Sequence, residues 1–246
     1  MVSPSRKAIF TSSRRSTQEE IMDRFDFQGK EMQGVLNDLD KVNHHLGGMR
    51  ITLEGLDQVL EKRSKEETIV IADMGCGDGA MLRKCAAYGV KHGYQFKLIG
   101  IDANEHILSI ARKKSEHFEN ISYLQLNIDD PQTEWPIIDI ALCTLFLHHF
   151  RTEKIVKIVD RMIQHCRMGI IVNDLQRSHL AFILFGWYGS IFLKTETAKF
   201  DGLVSVARGF KRIELKEIAK KFDNTTSSIR WRWAFRYLWI IKKINQ

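Results

Sequence analysis

With 246 residues, the chain is long enough for one large domain with a substantial buried core. Its 44% hydrophobic and 27% charged residues give an ordinary globular composition, and the net charge of +7 favours acidic partners only as a weak field effect. Several classes are excluded at the outset. No run reaches the ~20 apolar residues needed to span a bilayer, the N-terminus lacks the apolar core of a secretory signal, and Cys76, Cys85, Cys143 and Cys166 lie far apart without CxxC spacing. The cysteines are therefore expected to be reduced thiols of a cytoplasmic protein, with no disulfide scaffold, no zinc site and no other metal.

In chain order, residues 1–18 are rich in Ser, Thr, Arg and Lys and read as a flexible arm. Residues 19–66 read as an N-terminal helical cap. Met32, Val35, Leu36, Leu39, Val42 and Leu46 recur at helical spacing until Gly47-Gly48 stops them, and Ile51, Leu53, Leu56, Val59 and Leu60 form a second amphipathic stretch. From residue 67 the pattern alternates. Apolar runs at Thr68–Met74, Phe96–Ile101, Ile121–Leu126, Ile138–Cys143 and Gly169–Val172 have strand length, separated by helical stretches near 80–92, 105–117 and 152–167.

Near-continuous apolar strands alternating with helices predict a parallel sheet covered on both faces. Right-handed crossovers then give an α/β, Rossmann-like doubly wound arrangement. An aromatic insertion over 176–212 follows the fifth strand, then a helix at 213–222. In the tail, Ile229, Trp231, Trp233 and Phe235 alternate with Arg230, Arg232 and Arg236, which is strand patterning. Two closing strands there complete a mostly parallel, seven-stranded sheet in a domain spanning 67–246, although neither Gly nor Pro marks the turn between them.

The main chemical signal is TIVIADMGCGDGAML. An apolar strand ends at Asp73, and Gly75, Gly77 and Gly79 follow before a helix begins. Glycines at such a turn permit positive φ and let a ligand approach the backbone closely. The next strand ends in Asp102, at the distance expected of a carboxylate that accepts from both ribose hydroxyls. GCGDG brings its third glycine one position too early for the dinucleotide pattern. Asp73 before the loop and Asp78 within it oppose a pyrophosphate and suit a cofactor with an ammonium group and a sulfonium cation, which favours S-adenosylmethionine (SAM) over NAD.

On these residues the chain resembles the class I SAM-dependent methyltransferases. ADMGCGDG is similar to their first motif, GIDAN to the second, LQLNIDD to the third, with Asn127 where an aspartate is usual, and DIALCTLFLHHF to the fourth. The resemblance implies that Gly75 and Gly77 pass beneath the methionine part of SAM, that Asp73 helps to hold its amino group, and that Cys76 and Gly79 belong to the same cofactor-binding turn. It further implies that Asp102 binds the ribose, that Ala103, Asn127 and Ile128 border the adenine, and that Thr144 lines the methionine side. EIMDRFDFQGKEM, NHHLGGMR, TLFLHHF, NDLQRSHLA and DGLVSVARGF together resemble UbiE-related bacterial methyltransferases of the kind found with type III polyketide synthases. That likeness implies a hydrophobic small-molecule acceptor, phenolic or polyketide-derived.

For the acceptor side, the aromatic insertion reads either as a substrate lid bearing His179, Phe182, Trp187 and Tyr188, or as a segment that packs on the cap or anchors at a membrane surface. His148 and His149 follow the fourth strand and suit proton transfer from a hydroxyl, or else cap the next helix. Transfer to oxygen is expected, with carbon methylation of a quinone or polyketide ring as the alternative. An RNA or protein acceptor, suggested by the Trp-Arg interleaving, is equally explained by a half-buried strand, so no nucleic-acid partner is expected. Peripheral membrane contact and a non-catalytic surface role are the further alternatives.

Overall fold

The apolar runs of the central region form parallel strands because helices cover both of their faces. The computed structural model describes residues 7–24, 26–61, 63–130 and 132–244. In it β1 (Thr68–Met74), β2 (Gln95–Asp102), β3 (Ile121–Gln125), β4 (Ile138–Thr144) and β5 (Cys166–Leu175) run parallel. A hairpin of β6 (Thr225–Arg232) and β7 (Arg236–Lys243) adds antiparallel strands, giving the order β3-β2-β1-β4-β5-β7-β6. The predicted seven-stranded Rossmann-like sheet is thus the observed one.

Period-two alternation assigns each side chain to a face. In β1, Ile69 and Ile71 pack on one side, whereas Val70, Ala72 and Met74 pack on the other. One face is covered by α5 (Thr152–His165), through Ile155, Ile158, Val159 and Met162, and by α8 (Arg212–Ala219), through Leu215 and Ile218. The opposite face is covered by α3 (Ala80–His92) and by α2 (Gly48–Leu60), the latter through Ile51, Leu56, Val59 and Leu60. Gly55 lets α2 press onto the sheet, since a Cβ there would lie 2.5 Å from Ile171 Cγ2.

The remaining helices are α1 (Gly29–His45), α4 (Glu105–Lys114), α6 (His179–Phe192) and α7 (Glu196–Arg208). Met32, Val35, Leu36 and Val42 of α1 join Phe27, Ile107, Leu193 and Ala198 in a third apolar cluster. Of the segment read as an arm, residues 1–6 lie outside the described residues. Residues 7–18 are laid against the body: Ser16 N–H donates to Ala207 O at 3.0 Å, and the Arg15 guanidinium stacks over the Phe210 ring.

The closing hairpin turns without Gly or Pro because Ala234 (φ 59°) and Phe235 (φ 55°) both adopt the left-handed conformation. Each costs roughly 1–2 kcal/mol, and that choice removed the expected turn signal. The Trp-Arg alternation also sorts differently from a strand with arginines outward. Trp231 and Trp233 are exposed on the edge, whereas Arg236 is buried, its guanidinium 2.9 Å from where a Cβ on Gly48 would stand. Because strand order reverses at the β1–β4 pair, the loops leaving these strands diverge and open a crevice at their carboxyl ends.

Candidate active site

The crevice is a cavity of about 530 Å³, within the usual range for small-molecule sites of ~300–1,000 Å³. Its floor is the turn after β1, where Gly75, Gly77 and Gly79 all take positive φ (71°, 53° and 75°). The N–H groups of Gly75 and Cys76 both donate to Ile101 O, which ties the turn to β2. At Gly75 a Cβ would meet the Phe146 ring at 2.2 Å, so glycine there serves both backbone conformation and packing.

The expected cofactor residues converge. Asp73, Gly75, Cys76, Gly77, Asp102, Ala103, Asn127, Ile128 and Thr144 all line this cavity, whereas Gly79 lies behind it, against the Tyr123 hydroxyl. Asp73 is 2% exposed, and its Oδ1 has no hydrogen-bond partner. Burial, reinforced by the neighbouring Asp102, pushes its carboxyl up to about 8. A buried carboxylate oxygen without a donor is the complement of an ammonium group. Asp102 accepts from Gly77 N–H and Asn104 N–H, both at 3.0 Å, and burial raises its carboxyl above the usual range.

The structure alters two expectations, at Asp78 and in the aromatic insertion, and it orients Asn127. Asp78 lines the cavity, but it accepts from Ala80 N–H at the start of α3 and pairs with Lys114 and Arg83, so its charge is already compensated. The preference for a cationic ligand rests on Asp73 and Asp102 instead. Asn127 turns its Oδ1 onto Asp129 N–H at 3.1 Å, which leaves its amide NH₂ to face a ligand. His179, Phe182, Trp187 and Tyr188 do not line the cavity. His179 and Phe182 pack on Phe10, Tyr188 meets His45 Nδ1 at 2.9 Å, and Trp187 is exposed. The reason is topological: α6 stacks on α7, and it is α7 that reaches the cavity, through Ser205.

His148 and His149 stand in a short 3-10 turn (Leu147–His149) after β4, and both line the cavity. His148 is fully buried. Its Nδ1 lies 2.7 Å from Asp174 Oδ1, and its Nε2 lies 3.4 Å from Glu20 Oε1. Burial alone would lower its basicity, yet Asp174 and Glu20 together hold it up at about 9. His148 is therefore already protonated near neutrality and is no free base. His149 is partly exposed, with Nδ1 2.9 Å from Asp23 Oδ2.

Glu20, Met22 and Asp23 escaped the sequence reading as site residues. The insertion brings them in: Asp201 of α7 accepts from Ile21 N–H (2.7 Å) and Met22 N–H (3.0 Å). At the end of α7, Arg208 donates to His148 O at 3.0 Å and pairs with Asp23 at 3.4 Å. The available signal was the acid-flanked EIMD run, with too few apolar residues to be core. Leu36, Leu39, Asn43 and Met49 also enter the cavity from the N-terminal helices, and Phe146 and Phe150 from beside the histidines.

Residues 71–169 match a family model described as a methyltransferase domain. No curated protein matches the chain. Among solved structures, the chain is similar to the plantazolicin methyltransferase BamL in complex with a triazolic desmethylPZN analog and SAH. The TM-score is 0.64 at 15% identity, over 87% of this chain and 91% of that one. It is also similar to magnesium protoporphyrin IX methyltransferase from Synechocystis PCC 6803 with bound SAH (TM-score 0.56, 16% identity, 89% and 90% covered). The CurJ carbon methyltransferase gives a TM-score of 0.60 at 12% identity, over 79% of this chain and 54% of that one. The doubly wound sheet, the glycine turn and the matched region agree: the chain carries a SAM-dependent methyltransferase domain of the class I, Rossmann-like kind, with S-adenosylmethionine as its cofactor.

Proposed function

We propose that this methyltransferase acts on a hydrophobic small molecule, transferring the methyl group to an oxygen of a phenolic or polyketide-derived acceptor. The observation that carries this reading is the two-ended character of the cavity. One end is acidic and glycine-rich, with Asp73, Asp102 and the turn between them. The other combines Met22, Leu36, Leu39, Met49 and Phe150 with one polar cluster, Glu20, His148 and His149, and Phe146 stands between the two, against Gly75 and Phe150.

At the first end, Asp73 would take the amino group of SAM and Asp102 its ribose, with Ala103, Asn127 and Ile128 along the adenine and Thr144 on the methionine side. When bound, SAM supplies an already activated methyl group on a sulfonium. The chain's task is therefore placement and exclusion of water. The apolar walls would seat an acceptor ring, and the polar cluster would receive its oxygen. The N-terminal segment closes this end: Arg15 donates to His148 O at 2.8 Å, behind Glu20 and Asp23.

A second partner is favoured by a separate observation. Leu180, Ile183, Leu184, Trp187 and Ile191 form one exposed apolar stripe on α6, a helix without a charged side chain. Such a stripe on a basic protein suits peripheral contact with an anionic membrane surface, where hydrophobic acceptors accumulate.

The experiment incubates the chain with SAM and a panel of alkylresorcinols, phenols, quinones and RNA, and reads methylated products by mass. An O-methylated phenol is expected. A C-methylated ring would move the acceptor atom to carbon, and methylated RNA with no methylated small molecule would overturn the reading.

A further inference from the structure

The polar end of the cavity holds two buried atoms that face each other without a hydrogen bond between them. Glu20 Oε1 and His148 Nε2 stand 3.4 Å apart, and neither has a hydrogen-bond partner. The nearby carboxylates fix what each imidazole can offer. Asp174 accepts from His148 Nδ1 (2.7 Å), whereas His149 directs its Nδ1 both to Asp23 (2.9 Å) and, at 3.8 Å, to Glu20 Oε1. On His148 the second ring nitrogen, Nε2, then points at a carboxylate oxygen. Two acceptors at that distance need a positive charge between them. A proton can join two such atoms, whereas here a third donor converges: one ligating atom from each of Glu20, His148 and His149 lies within 4.8 Å of the other two.

We propose that Glu20, His148 and His149 bind one divalent first-row transition-metal ion at the acceptor end of the cavity. The spacing suits it, because two ligands each ~2.0–2.1 Å from a tetrahedral centre stand roughly 3.3 Å apart, close to the 3.4 Å observed. Two imidazoles and one carboxylate are a donor set for zinc, iron, cobalt or manganese. Asp174 on the far ring nitrogen of His148 is the outer support that orients a metal-binding histidine, and Asp23 holds the ring of His149. The support is itself anchored, since Arg208 pairs with Asp23, and Asp201 fixes the backbone beside Glu20. All three ligands line the cavity, so the remaining coordination positions open onto it and suit an oxygen donor. That this donor belongs to the acceptor rests on the function proposed above; the ion site itself does not.

The test strips the purified 246-residue chain with a chelator and titrates it separately with Zn²⁺, Mn²⁺ and Co²⁺. Calorimetry and elemental analysis measure affinity and stoichiometry, and the visible Co²⁺ spectrum reports its ligands. One ion per chain is expected, with micromolar or tighter affinity for at least one of the three metals. Glu20→Gln, His149→Asn and Asp174→Asn should each weaken it by about tenfold or more, with SAM affinity and circular dichroism confirming the fold. The wild-type titration needs no variant: failure to bind any of the three ions stoichiometrically overturns the proposal. So does binding that all properly folded variants retain, which marks an adventitious surface ion. An ion bound without methylation of any phenol or quinone would sink only the acceptor reading. Methylation at an undiminished rate by a chain shown to be free of metal would sink only the reading that the ion holds the acceptor oxygen.

Discussion

SAM binding should release a proton, and its affinity should rise with pH below neutrality. In the ligand-free chain Asp73 is buried beside Asp102, and its carboxyl is held at about 8. It is then mostly neutral at physiological pH. An ammonium group placed against its unpartnered Oδ1 favours the ionised form, so the carboxyl must lose its proton as SAM binds. For a free-state value near 8 and a much lower bound-state value, the ionised fraction rises about ninefold between about pH 6 and pH 7. Affinity should follow, gaining about 1.3 kcal/mol. The window stops there because the amino group of SAM itself begins to lose its proton near pH 7.7–8.0, the usual α-amino range. Calorimetry in two buffers of different ionisation enthalpy should find close to one proton released per SAM at pH 6. Asp73→Asn should weaken binding at pH 7 and abolish the slope. A slope that is flat in the wild type, or unchanged in Asp73→Asn, would refute the assignment. The stability sign is opposite: an acid whose folded value is raised costs stability as pH rises from about 4 through 8. The same substitution should therefore raise the melting temperature of the ligand-free chain at pH 8 more than at pH 5.

Gly75→Ala would set a Cβ at 2.2 Å from Phe146 on a backbone at φ 71°. A loss of about 2–4 kcal/mol in chemical denaturation, with SAM binding lost, is expected from the left-handed strain plus overpacking. Arg177 is fully buried and forks onto Glu214 through Nη1 (3.0 Å) and Nη2 (2.6 Å). Arg177→Met strips the partner from Glu214, which is 30% exposed, so the loss should be about 2 kcal/mol, below that of a fully buried pair. Ala234→Gly relieves a left-handed residue at φ 59° and should stabilise the chain by about 0.5–1 kcal/mol, read as a rise of roughly 1–4 °C in melting temperature.

The sheet was legible in the sequence because its information is local. Each buried strand needs apolar side chains on both faces, so β1 and α3 could be bounded to the residue, and the strands shared between sheet neighbours to within a few. The candidate cofactor end was legible for a related reason. Asp73, the glycine turn and Asp102 sit at the ends of consecutive strands, where chain order and spatial order coincide. The acceptor end has no such coincidence. Glu20 and His148 are separated by about half of the chain, and their meeting depends on Asp201 and Arg208 of α7 holding residues 18–23 in place. Apolar content alone pointed to α6 as the acceptor wall, yet α6 turns its apolar stripe outward and leaves the cavity to α1, α2 and α7. Sequence by itself determined the sheet, the glycine turn and the acidic cofactor end, because strand burial and turn geometry are written in neighbouring residues. Only the tertiary structure decided which distant acids face the histidines, because that pairing is set by how the N-terminal segment docks across the strand ends.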